Sequence, residues 1–403
     1  MAVFEQAAQP ASEAKLGRRL RIAQVVTKFT AGAGGITLRG ALALDHERYA
    51  STILAAGGGW FGDAARCAGI DVIELRHMSP HVDFREDVRG LRELTARLGE
   101  GGFDLVHTHS AKAGALGRVA ARRVGVPFVV HSFHGFPFHE FQSPLRRRAY
   151  LALERKLAAI TDYFVTDGTV VAAEAVRLGL APPERVRAIA SPVDDGIPRV
   201  SPATRAEARL LLGVPAAAKL VGTVARLDAQ KAPLDMVEAF AALASDVYMV
   251  WIGDGELRGR TEAHIERLGL GDRFLLVGNR QDVPRLLPGL DVFAMSSLYE
   301  GLPCSVVEAM TCGVPVVATA VNSVPEIVVP GRTGLLARPG DPASLSRALR
   351  HALDHPREAT RWARAARAHI GDGFRPEVLG RDLAECYESV VELGGWCAEA
   401  EAA

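Results

Sequence analysis

Residues 291–339 read DVFAMSSLYEGLPCSVVEAMTCGVPVVATAVNSVPEIVVPGRTGLLARP. The apolar run Val292–Met295 predicts a buried strand, and a glycine-containing loop opens at Glu300. A helix follows from about Ser305 to Cys312, then a second apolar strand, Val314–Thr319, and a loop punctuated by proline and glycine. Short apolar runs separated by a helix mark a parallel βαβ crossing. Glycine at the mouth of a helix allows close approach of a ligand, and the unpaired N–H groups of the first turn attract anions. Glu300 and Glu308 bracket the loop with seven residues between them. One carboxylate therefore precedes the helix and the other lies about one turn inside it. Two acids suit a ligand with hydroxyls to be held and a diphosphate between them, which is the anatomy of a nucleotide sugar. The loop N–H groups would face the phosphates, one glutamate the sugar and the other the ribose.

The same alternation runs outward along the chain. RLRIAQVVTK (19–28) is a strand that breaks into a glycine-rich loop and an apolar-periodic helix. Gly32, Gly34 and Gly35 are not spaced as G-x-G-x-x-G, and no acid follows at the ribose position, so a dinucleotide site is weakly supported. Further strands are expected at 50–57, 71–75, 103–109, 127–135, 163–168 and 185–191. A fresh series follows at 219–227, 247–256, 273–279, 291–297, 315–321 and 333–339. The expected fold class is α/β, as two doubly wound, Rossmann-like parallel-sheet domains facing across a cleft. Residues 1–18 are expected as a loose tail, 19–195 and 196–370 as the two domains, 371–395 as a C-terminal amphipathic helix and 396–403 as a second tail.

At 403 residues, two domains are the default. Lys+Arg and Asp+Glu are equal at 47 each, so no net field recruits nucleic acid. No apolar run is long enough to span a bilayer, and the N-terminus lacks a signal pattern. The five cysteines are scattered without C-x-x-C or Cys/His spacing, which supports neither a disulfide framework nor structural zinc and fits a reducing cytoplasm. SPLRRRAYLALERKLAA (143–159) is a basic amphipathic helix that reads as a solvated face, with peripheral contact to an anionic inner-membrane face as the other reading.

The composite E-GLPCSVV-E-AMTCGVPVVAT resembles the retaining GT-B glycosyltransferases of family 4, whose signature is E-x7-E followed by A-M/A-x-x-G-x-P-V-V/I-A-T/S. The resemblance implies that Glu300 holds sugar hydroxyls, Glu308 the ribose diol, and Gly301, Leu302, Pro303, Cys304 and Ser305 the phosphates. VARLDAQKAP (224–233) places Arg226 and Lys231 where that family writes G-R-L-x-x-x-K-G, with the small residues Ala225 and Ala232 in place of glycine, from which a slight reshaping of the loop is expected. Two fixed cations there would stabilise a leaving diphosphate more in the transition state than in the ground state. In the same family an N-terminal GG turn approaches the donor phosphates, which implicates Gly34 and Gly35. Asn279 and Arg280, at the end of a strand of the second domain, are candidates for contact with the base.

HTHSAKAGALGRVAARRVGVPFVVHSFHGFPFHEF (107–141) resembles the capsular and exopolysaccharide-type subgroup. On that resemblance His134 would sit beside the transferred sugar, with His107, His109 and Lys112 lining an acceptor site. Five histidines between 107 and 139 invite a metal, which is set aside because alternate residues at a strand end point to opposite faces; His131 reads as a satisfied strand histidine. The segment ASPVDDGIPRV departs from the family's asparagine-glycine-valine-aspartate turn, and Asp194 receives no role. The resemblance implies a metal-independent, retaining transferase that requires no cofactor and uses a UDP- or GDP-sugar. Glycan, lipid-linked and small natural-product acceptors all stay open. A sugar-nucleotide 2-epimerase and a non-catalytic nucleotide-sugar binder are the alternatives.

Overall fold

The computed structural model describes residues 18–30, 32–79, 81–193 and 196–393. The expected tail 396–403, nearly all of 1–18, and Asp194 lie outside the described residues. The chain divides into two compact units: residues up to Pro192 join those from Arg375 onward, and Val193–Phe374 forms the other.

The first unit holds a seven-stranded sheet of β1 (Leu20–Lys28), β2 (Tyr49–Ala56), β3 (Asp71–Glu74), β4 (Leu105–His109), β5 (Phe128–Phe133), β6 (Tyr163–Thr166) and β7 (Val186–Ala188). Its order is β3-β2-β1-β4-β5-β6-β7, with every pairing parallel. The second unit holds β8 (Lys219–Val224), β9 (Val247–Ile252), β10 (Phe274–Gly278), β11 (Val292–Met295), β12 (Val316–Thr319) and β13 (Leu335–Ala337), ordered β10-β9-β8-β11-β12-β13 and again parallel. Each sheet is doubly wound. Chain order reverses between β1 and β4 in one and between β8 and β11 in the other. Ligands of such sheets bind outside the carboxyl ends of the strands at those reversal points.

The central strands read as continuous apolar runs because helices cover both faces. β12 starts at Val316, two residues later than the apolar pattern suggests. Gly313 closes the preceding helix in the left-handed region (φ 90°), and Pro315, which has no N–H, only accepts, from Phe293 N at 2.8 Å.

The C-terminal helix Pro376–Leu393 belongs to the first unit. Leu379, Leu383, Cys386, Tyr387 and Val390 recur at helical spacing and pack on Leu20, Ile22, Leu105 and Val130. The approach to the Ala33–Ala43 helix is so close that a Cβ on Gly380 would stand 2.1 Å from the Ala43 carbonyl oxygen. Alanine at 380 gains about 1 kcal/mol of helix propensity. A Cβ so far inside contact distance of backbone places the cost toward the upper part of the about 1–3 kcal/mol range for overpacking, so the clash wins. Gly380→Ala should therefore lower the midpoint of thermal unfolding by about 2–6 °C; a midpoint that rises would show that the two helices are not in this contact.

Candidate active site

In the second unit, β8 and β11 are neighbours, and the loops that leave their carboxyl ends are bonded to each other. After β8 the chain turns through Arg226 into the short helix Ala229–Lys231, where the Asp228 side chain accepts from Lys231 N at 3.1 Å. After β11, Ser296 Oγ donates to the Lys231 carbonyl (2.7 Å) and Leu298 N to the Gln230 carbonyl (2.8 Å). Gln230 Nε2 donates to the Tyr299 carbonyl (3.0 Å) and to Glu300 Oε2 (3.2 Å). The Lys231 ammonium binds the other oxygen of the same carboxylate. Their side chains are 17% and 6% exposed, so the pair is largely desolvated. Removing one partner of such a pair leaves a buried charge and costs about 3–5 kcal/mol. Glu300 N donates to Asn322 Oδ1 (2.9 Å), and Asn322 is itself left-handed (φ 43°).

Ala232, where the resembled family writes glycine, sits at φ 45°, ψ 58°. The loop keeps the left-handed turn rather than being reshaped, at a strain of about 1–2 kcal/mol.

The helix after Glu300 runs Cys304–Cys312, one residue earlier than expected. Its N-cap is Pro303, which makes no side-chain cap bond, so the positive end of the dipole is not neutralised by a capping side chain. Val306, Val307 and Met310 are core. Gly301, Leu302 and Pro303 are also buried, whereas Cys304, Ser305 and Glu308 are half-buried. Arg226 is 61% exposed beside Asp228 (2.9 Å) and Gln230 (3.3 Å), a surface cation with room to move. Asn279 is exposed just beyond β10. The Arg280 fork is closed on Asp282 through two bonds, 2.7 and 2.6 Å, and its guanidinium is thereby occupied within the protein.

The first unit corrects several expectations. Gly34 and Gly35 are not in a turn; they lie in the first turn of the Ala33–Ala43 helix. A Cβ on Gly34 would meet the Lys28 carbonyl oxygen at 2.6 Å, so glycine here serves close packing. His107 and His109 do not line a surface: they are 1% and 4% exposed. Two apart on β4, they share one face with ring centroids 4.2 Å apart, so opposite-face alternation does not separate this pair. Lys112 is held by Asp87 Oδ1 (2.5 Å), in the first turn of the helix Phe84–Gly101, and by the His81 carbonyl just before that helix. His131 bonds Thr108 Oγ1 at 2.9 Å inside the sheet, as a satisfied strand histidine does.

His134 follows β5, and parallel register sets it beside Asp167, which follows β6. His134 Nδ1 lies 2.9 Å from Asp167 Oδ1, and its Nε2 lies 3.0 Å from His109 Nδ1. Both ring nitrogens are thus engaged by protein groups. His109 Nε2 meets Gln24 Oε1 (2.8 Å), Gln24 Nε2 donates to Tyr387 OH (3.1 Å), and His107 bridges Tyr387 OH (2.8 Å) to Ser132 Oγ (2.7 Å). Gln24, Asp167 and Tyr387 escaped sequence reasoning. Gln24 sits inside an apolar run, and the nearest signal for Asp167 is its place just past a strand end. No group of three or more His, Cys, Asp or Glu among the described residues is placed to hold a metal ion.

Burial holds the buried imidazoles neutral. His107 is pushed down to about 3, first by burial and then by the His134 charge; His109 and His131 are held well below the usual histidine range, again chiefly by burial. Folded histidines with depressed values stay unprotonated while their unfolded counterparts take up protons below about pH 6.5. The stabilisation is therefore complete above pH 6.5 and is lost as pH falls toward 3. Three such residues give a slope approaching about 4 kcal/mol per pH unit. Urea unfolding of the first unit at pH 7, 6 and 5 should show its midpoint falling steeply below pH 6.5, and a flat profile would contradict the burial of these rings.

The family model described as glycosyl transferases group 1 matches residues 206–369, and that of the glycosyl transferase 4-like domain matches 31–192. The chain is similar to the UDP-Gal:alpha-D-GlcNAc-diphosphoundecaprenol alpha-1,3-galactosyltransferase of Escherichia coli, 32% identical over 60% of this chain and 64% of the relative. The matched stretch thus falls just short of two thirds of that relative's length. It is also similar to the 2-deoxystreptamine glucosyltransferase of Streptomyces kanamyceticus, 33% identical over 67% of this chain and 73% of the relative. Among solved structures, Anabaena HepE in complex with UDP and glucose has a TM-score of 0.79 at 22% identity, covering 92% of this chain and 100% of that one. Sucrose-phosphate synthase from Thermosynechococcus elongatus has a TM-score of 0.78 at 20% identity, covering 93% and 100%.

Proposed function

The chain belongs to the family 4-like glycosyltransferases of GT-B fold, and from that premise we propose that it moves a sugar, with retention, from a UDP- or GDP-sugar to an acceptor. The observation that carries this reading is the Lys231–Glu300 ion pair, which gathers a cation, a carboxylate and the Cys304–Cys312 helix tip at one sheet reversal.

The first-turn N–H groups around Cys304 and Ser305 receive the diphosphate. Lys231 and Arg226 neutralise the charge that grows on it as the glycosidic bond breaks, so that no metal cation is needed. Lys231 acts as a point charge and Arg226 as a mobile planar fork. Glu300, relieved of Lys231 as the cation turns to the phosphate, accepts sugar hydroxyls. Glu308, half-buried one turn inside the helix, takes the ribose diol. His134 accompanies the transferred sugar. Similarity to a UDP-Gal-dependent relative and to a fold solved with UDP and glucose supports a UDP-sugar first. Relatives named for a diphosphoundecaprenol-linked sugar and for 2-deoxystreptamine support lipid-linked and aminocyclitol acceptors alike.

The basic helix Pro144–Ala158 buries only Glu154 and Leu157, and leaves Leu145 80% and Leu153 44% exposed among its arginines. No helix among the described residues is long and apolar enough to cross a membrane. We assign this helix to peripheral contact with an anionic lipid surface. The triple change Arg146→Glu, Arg147→Glu, Arg148→Glu should abolish co-sedimentation with phosphatidylglycerol vesicles, and retained binding would remove that role.

Arg226 is exposed enough to be changed without harm to the fold. Arg226→Ala should leave the unfolding midpoint in place and lower turnover of the donor found in a thermal-shift screen of UDP-, GDP- and TDP-sugars by about 100-fold or more. No thermal shift with any of them, or unchanged turnover in the variant, would overturn the assignment.

A further inference from the structure

Seven polar side chains of the first unit form a line with no bulk water to complete it. Gln24, His107, His109, Ser132, Asp167 and Tyr387 are each 4% exposed or less, and the His134 side chain is 10% exposed. Buried donors and acceptors without solvent must be matched one to one, because an orphan loses its hydration with no bond in exchange. That requirement permits a count of the protons.

We propose that Asp167, His134, His109, Gln24, Tyr387, His107 and Ser132 form one directional hydrogen-bond chain, in which Asp167 and Gln24 are positioning residues that set whether His134 Nε2 donates or accepts. The inference rests on the reading above that His134 faces the sugar.

Gln24 Nε2 donates to Tyr387 OH, so Gln24 Oε1, which can only accept, must receive N–H from His109 Nε2. His109 is neutral at such burial, and its Nδ1 is then bare. It must accept from His134 Nε2–H. Asp167 meanwhile takes the N–H of His134 Nδ1. In this polarity His134 carries both ring protons and is clamped as a cation on a carboxylate. Tyr387 donates onward to His107 Nδ1, and His107 Nε2–H donates to Ser132.

Turning the Gln24 amide end for end reverses every bond between His134 and Ser132, and the chain then holds one proton fewer. A sugar hydroxyl that takes the place of His109 at His134 Nε2 meets a donor in the first polarity and an acceptor in the second. Few other charges bear on the choice. Arg118, from the helix Ala111–Arg123, faces His131 and is itself closed on Glu154 at 2.7 Å. His131 bonds Thr108 and not the chain, and Ser191 Oγ reaches Asp167 at 3.5 Å from the segment after β7. The C-terminal helix enters through Tyr387, whose ring contributes to the core while its hydroxyl continues the line.

The test uses the full chain labelled with 15N-histidine, with ring nitrogens read by long-range proton–nitrogen correlation between about pH 5 and pH 9. The signal of His134 is identified by its loss in His134→Gln. The expected result is one histidine protonated on both nitrogens at neutral pH. Gln24→Met, which removes the acceptor, should return that histidine to a single N–H. Gln24→Glu, which keeps an acceptor and adds charge, should hold both protons to higher pH, and it stands in if Gln24→Met fails to fold. A His134 singly protonated from pH 5 to pH 9 in all three proteins overturns the proposal. The activity arm uses Asp167→Asn, in which the pH optimum of donor turnover should shift and kcat/KM fall at least tenfold. If the nitrogen spectra behave as expected while Asp167→Asn keeps the wild-type pH profile, the positioning role is overturned, and unchanged donor turnover in His134→Gln separately overturns the sugar-facing role on which it rests.

Discussion

One buried ion pair organises the second unit. Lys231 and Glu300 leave adjacent strands, β8 and β11, and meet where solvent is nearly absent. Neither charge is tolerable there alone, because an unpaired buried ion costs several kcal/mol. The two loops are therefore obliged to stay together. Gln230, Ser296 and Leu298 add neutral bonds that fix their angle. The same contact makes chemical sense of the site. On the proposed reading, Lys231 would rest on this carboxylate until a diphosphate offered more negative charge, and the exchange would free Glu300 for the sugar.

The first unit reaches rigidity by another route. Its sheet reversal is filled with imidazoles instead of opposed charges, and burial keeps His107, His109 and His131 neutral. Hydrogen bonds among neutral rings give the buried part of that cluster its geometry, the His134–Asp167 contact closes its outer end, and the direction of those bonds carries information that a set of ion pairs does not. Tyr387 makes the C-terminal helix part of the arrangement, which ties apolar packing and the candidate sugar-facing histidine to one element.

Much of this was legible in the amino-acid order. Apolar runs located nearly every strand, since parallel sheets covered on both faces need continuous hydrophobic stretches. The Glu300–Glu308 spacing and the Arg226–Lys231 pair singled out two loops that the structure bonds to each other, because those residues lie within one crossing each. The relation between Gln24 and Tyr387 was not legible: 363 residues separate them, and nothing local distinguishes a glutamine in an apolar strand. Lys112 was misplaced for a similar reason, its partner Asp87 lying 25 residues back on another element. His107 and His109 were placed at an acceptor site by the resemblance, whereas β4 is central and covered and both rings are buried. Ala232 shows the converse. Sequence suggested an altered loop, yet the backbone holds the glycine-like turn and accepts the strain.

The most direct measurement of the central claim is a crystal structure of the chain with UDP bound. The account predicts diphosphate oxygens within about 3 Å of the Cys304 and Ser305 amides and of Lys231 Nζ, with the ammonium withdrawn from Glu300. A diphosphate bound elsewhere, with Lys231 still seated on Glu300, would contradict it.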